Sequence, residues 1–137
     1  MLRNLLETVD LGSIVLAFGS TLFLWLLVGG EWLAIPPGQP PVSMKIDVSV
    51  AVGCTIACLV AVLNRLAAVL LLWCVTIVNT ILYLKFSPPS ATWRTRLGYS
   101  SIEVFILILL HTTAFCRYAM GRRKTVSAGH IGKKCDG

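Results

Sequence analysis

Three side chains able to ionise or to hydrogen-bond strongly stand in otherwise apolar stretches: Asn79, Glu103 and His111. Ionisable groups in a membrane-length segment are costly to keep, which makes them functional candidates by default. His111 is followed by Thr112 and Thr113, and Glu103 lies two turns earlier. With Thr76 and Asn79 from the preceding segment, such a set could line a polar path for protons or solutes. The plainer arrangement is the one expected. A neutral imidazole donates to a nearby carbonyl or hydroxyl. Glu103 then sits near the start of its helix, where the dipole favours an acid, within reach of Lys85, Arg94 or Arg96.

Thiols are the other candidates for chemistry. Cys54 and Cys58 are one turn apart, Cys74 follows in the next apolar segment, Cys116 lies in the last one, and Cys135 ends the series near the C-terminus. Folding the chain back at Asn64 and Arg65 puts Cys54 and Cys74 at similar depth, and three thiols could hold a soft metal or a cluster, but zinc sites bring about four ligands at short loop spacings, and no fourth is in view. Buried cysteine also behaves as a small apolar residue. A haem between helices needs a second axial ligand, and the other histidine, His130, is in the tail. No nucleophile with a base, carboxylate pair, Gly-rich phosphate loop or zinc motif is found. No metal, cofactor or catalytic residue is therefore assigned, and the chain is expected not to be an enzyme.

The elements that must position these residues are set by composition. Of 137 residues, 56% are hydrophobic and 13% charged, with a mean hydropathy of +0.81. Soluble domains carry about 25% charge. The expected class is an all-α integral membrane protein. Apolar segments at about 11–35, 46–63, 66–86 and 99–118 make four transmembrane helices, arranged up-down-up-down, with three helices as the alternative. The first segment is expected to be retained, since GGEWLAIPP has no small-residue cleavage signal. The stretch PPGQPP, with four prolines in six residues, reads as a stiff loop, and Lys85 to Gly98 as an interfacial connection.

The choice between three and four helices turns on Asn64 and Arg65, which interrupt an apolar run from about Val48 to Phe86. One helix over that run would be about 58 Å long, too long for a single crossing of a core about 30 Å thick. The two polar residues are therefore read as the tip of a tight helical hairpin, placed at the water interface, where arginine costs little. The rival reading buries Arg65 against an acid such as Glu103.

Ser49, Gly53, Ala57 and Ala61 recur every four residues, a small-residue stripe that lets another backbone approach closely, either within the chain or from a partner. The segment 119–137 is read as a basic, flexible tail. Arg117, Arg122, Arg123, Lys124, Lys133 and Lys134 give this end a bias towards anionic lipid or an acidic partner surface, not towards nucleic acid. With four crossings, Arg3, Arg65 and those six share one side, against Lys45, Lys85, Arg94 and Arg96 on the other. The positive-inside rule then puts both termini in the cytoplasm or the mitochondrial matrix.

Two functional readings follow. The first is a small non-catalytic accessory subunit, packed among other transmembrane subunits of a larger membrane complex, in the mitochondrial inner membrane (as in respiratory-type assemblies) or the endomembrane system. The second is a small oligomeric channel or carrier with a polar path around His111, Asn79 and Glu103.

Overall fold

A computed structural model describes residues 1–35, 38, 42–86 and 93–132, with the side chains at 42–43, 93–96, 123–125 and 127–132 outside the description. It contains four helices: α1 (Leu2–Ala34), α2 (Val42–Leu63), α3 (Arg65–Phe86) and α4 (Trp93–Gly132). By length and composition, the segments Leu2–Ala34, Met44–Leu63, Arg65–Phe86 and Leu97–Arg122 could each cross a membrane.

Three helices exceed their expected bounds, α1 and α4 by most and α2 by its first four residues, for one reason. Apolarity marks where a chain can lie in lipid, but a helix ends where its backbone is interrupted. In α1 the polar first turns stay helical, with an Arg3–Glu7 ion pair at 2.9 Å and Thr8 donating to the Asn4 carbonyl at 2.8 Å. In α4 no proline lies between Trp93 and Gly132, so the helix covers most of the segment read as a tail. Likewise Lys85, Phe86 and residues 93–98 are helical, not part of a connection. Most of PPGQPP, and Lys133 and Lys134, lie outside the described residues.

The helices follow chain order around the bundle. α1 packs on α2 and α4, α3 packs on the same two, and α2 touches α4 across the middle. Neighbours run antiparallel, because partner numbers fall as residue numbers rise. Cys58 meets Thr21 and Thr55 meets Trp25; Gly53 meets Val75 and Ser49 meets Asn79. The core lies along α2, where Val50, Ala51, Cys54, Ala57, Cys58 and Ala61 are buried against Ala17 and Leu24 of α1, Leu72 of α3, and Ile106 and Leu110 of α4. Gly53 permits a close approach. A Cβ built there would stand 2.5 Å from Val75 Cγ1, so a side chain at this level would force Val75 or the helices to shift.

Candidate functional site

The turn between α2 and α3 is a single residue. Asn64 N–H donates to the Val60 carbonyl at 2.8 Å, closing α2, and its own carbonyl accepts from Ala68 N–H at 3.2 Å, opening α3. Its side-chain oxygen accepts from the amides of Leu66 and Ala67 at 3.1 and 3.2 Å. That is the work of an N-cap, for which asparagine is among the best residues. Asn64 therefore ends one helix and starts the next.

Arg65 follows on the first turn of α3 and bends inward. Its Nε and Nη2 lie 3.4 Å from the two carboxylate oxygens of Asp10 on α1, and its Nη1 donates to the Ala61 carbonyl of α2. Arg117 of α4 donates through Nε to Asp10 Oδ2 at 2.8 Å. Only 3% of the Asp10 side chain is exposed, against 14% for Arg65 and 59% for Arg117. One buried acid thus binds two guanidiniums, and the cluster ties together all four helices. With one carboxylate and two always-protonated guanidiniums, it carries one net positive charge.

A second polar layer lies towards the other end of the bundle. Glu103 precedes Arg117 by fourteen residues and Asn79 follows Arg65 by fourteen, so each stands about 21 Å along its helix from the ionic cluster. The Thr76 hydroxyl sits between Glu103 Oε1 (2.8 Å) and the Leu72 carbonyl oxygen (2.9 Å). Ser49 Oγ lies 2.7 Å from the Ile46 carbonyl oxygen and 3.0 Å from the Asn79 side-chain amide. Asn79 and Glu103 are both buried.

The structure sets His111 apart from the other residues proposed to share a polar path, while it joins Thr76 to Glu103 and places Asn79 in the same layer. Glu103 is ten residues into α4, not in its first turn, and it bonds to Thr76 while Lys85 stands over the Phe86 ring at 5.4 Å. His111 is on the outer side, in the seam between α3 and α4. Its Nδ1 lies 2.8 Å from the Leu107 carbonyl oxygen, and its Nε2 accepts from Trp73 Nε1 at 3.3 Å. This bonding fits the tautomer with its proton on Nδ1, in which one ring nitrogen donates and the other accepts.

The remaining candidates divide by place. Gly53, Ala57 and Ala61 are buried within the chain's own bundle, and Ser49 bonds to α3. Arg122 is exposed, one turn past Arg117, and the side chains of Arg123 and Lys124 are outside the description. Cys54, Cys58 and Cys116 are buried and Cys74 is exposed. Among the described residues, no three of His, Cys, Asp and Glu gather where a metal could sit.

Asp10 is the residue that sequence reasoning passed over. It reads as one of two acids flanking the first apolar run. A usable signal existed: once the chain reverses at Asn64, positions 10, 65 and 117 fall at the same end, and two arginines there call for an acid. Arg65 does turn inward, as the rival reading held, but its partner is Asp10 and not Glu103.

Beside the cluster, between the hairpin tip and α4, lies an open groove of about 690 Å³. Asn64, Arg65 and Leu66 line one wall, and His111, Phe115, Arg117 and Tyr118 the other. Comparison with protein-family models, characterised proteins and solved structures finds no match for this chain.

Proposed function

We propose that this chain is a small, non-catalytic integral membrane subunit that packs into a larger membrane assembly. The observation that carries the reading is how the interior polar groups are used. Asp10 with Arg65 and Arg117, Ser49 with Asn79, and Thr76 with Glu103 are joined in pairs or clusters across helices, so their polar atoms serve contacts within the bundle. What the bundle offers outward is apolar surface. Leu16, Leu22, Phe23 and Leu26 of α1 and Leu70, Ile77 and Ile81 of α3 are exposed, suited to lipid tails or to other transmembrane helices.

The basic residues at the hairpin end support an orientation with both termini on the cytoplasmic or matrix side. The mitochondrial inner membrane and the endomembrane system both fit that orientation. The channel reading draws less support, since His111 faces outward while Glu103 and Asn79 are buried elsewhere.

Solubilisation of the native membrane in mild detergent tests the proposal. The chain should migrate in a particle several times its own 14.9 kDa plus detergent, with fixed stoichiometry to other membrane subunits. Recovery only as a monomer, or as a ring of identical copies that passes ions in proteoliposomes, would refute the subunit reading.

A further inference from the structure

The groove beside the ionic cluster has a charge and a shape that the bundle itself does not use. Asp10 neutralises one of the two guanidiniums, leaving one net positive charge at the rim of an apolar recess. Arg65 spends Nε and Nη2 on Asp10 and Nη1 on Ala61. Arg117 spends only Nε, so its Nη1 and Nη2 donors have no described protein partner. Below the charge the lining is mostly hydrocarbon, with the His111 ring at its lower edge: Leu66 and Phe115 are 64% and 66% exposed and border the recess. Tyr118, one residue beyond Arg117, adds a hydroxyl at the polar end.

We propose that this groove binds an acidic glycerophospholipid. Its phosphate is held by Arg117, with Arg65 behind it, and an acyl chain lies along Leu66 and Phe115. The planar guanidinium offers paired donors to phosphate oxygens, a geometry that suits arginine better than lysine. A lipid with one net negative charge brings the cluster to neutrality. A zwitterionic lipid brings its own cation near Arg65 and Arg117 and cannot. The site sits at the hairpin tip and thus at headgroup depth, so a lipid already in the leaflet can enter from the side. The proposal rests on the reading of this chain as membrane-embedded, and it adds a specific ligand.

The test is native mass spectrometry of the full chain released from micelles doped with equal phosphatidylglycerol and phosphatidylcholine. The wild type should retain one phosphatidylglycerol, in at least about tenfold preference over phosphatidylcholine. Arg117→Gln should lower that retention by about tenfold or more, the scale of losing a charged hydrogen bond. Arg117→Lys should recover part of it. Leu66→Trp, which leaves every charge in place and fills an exposed site, should lower it too. Arg122→Gln, one turn away, should leave it unchanged. Equal loss from Arg117→Gln and Arg122→Gln would mean diffuse attraction to the basic end and would overturn the site. Undiminished retention in Leu66→Trp, or competition by soluble glycerol phosphate at equal strength, would overturn the lipid as the ligand. Incorporation into phosphatidylcholine vesicles that resists carbonate separates the cases, since a chain that fails there fails the membrane reading itself.

Discussion

The hairpin end and the second polar layer both bury polar side chains, and they do so by different means. At the hairpin end, Asp10 holds Arg65 and Arg117 at 3.4 and 2.8 Å, and the charge has an outlet, because 59% of the Arg117 side chain is exposed. About 21 Å away along the helices, Glu103 meets Thr76 and Asn79 meets Ser49, each through one hydrogen bond between two helices. The difference lies in what each level carries. At the hairpin end, full charge joins four helices at once. At the second layer, polar groups are paired locally and join two. Their energetics should differ accordingly. Removing one member of a buried ion cluster leaves a charge uncompensated, whereas interhelical hydrogen bonds in membranes average about 0.6 kcal/mol.

The comparison can be broken first at Asp10. Asp10→Asn strands two guanidiniums without a counter-charge, and the expected loss is about 3 kcal/mol, the low end for a buried pair because Arg117 can turn to water. Reversible unfolding in mixed micelles measures it. The double variant Asp10→Asn with Arg65→Gln should be less destabilised than Asp10→Asn alone. A single-variant loss no larger than that of a second-layer variant would erase the distinction.

Next comes the contact between the two levels. Gly53→Leu places a side chain where even a Cβ would be 2.5 Å from Val75 Cγ1. The expected loss is about 1–3 kcal/mol, as for other overpacked cores. Val75→Ala should return part of it, and the same unfolding assay reads both. Val60→Leu, at a position only half-buried, should cost less.

The smallest effects belong to the second layer. Thr76→Val keeps the shape and removes the hydroxyl beside Glu103, for an expected loss of about 0.6 kcal/mol and at most about 1.7. Ser49→Ala should cost no more, since Ser49 is partly open. Losses above those of Asp10→Asn would reverse the order of the two regions.

The four helices were legible because crossing length is a physical constraint read directly from apolar runs. The reversal at Asn64 followed from the same length argument. Other features were not legible, for identifiable reasons. Hydropathy does not register where a helix ends, so the first turns of α1 and the last turns of α4 read as flanks and tail. Arg117 counts among the basic residues of that end, although its side chain joins the bundle's ionic cluster. Asp10 acquires meaning only through partners far along the chain, and no local pattern announces it. An expected start near Tyr99 puts Glu103 close to the first turn of α4. Starting at Trp93 carries the residue almost two further turns inward, away from the basic residues expected to meet it.

The ionic cluster also sets a timetable for biosynthesis. Asp10 is made early, but Arg65 comes 55 residues later and Arg117 comes 107 residues later. At about 5–20 residues per second, the acid waits about 3–11 s for its first arginine and about 5–21 s for its second. On the membrane reading proposed above, α1 would carry an uncompensated carboxylate during that interval, a reason to stay near water until the α2–α3 hairpin supplies the counter-charge.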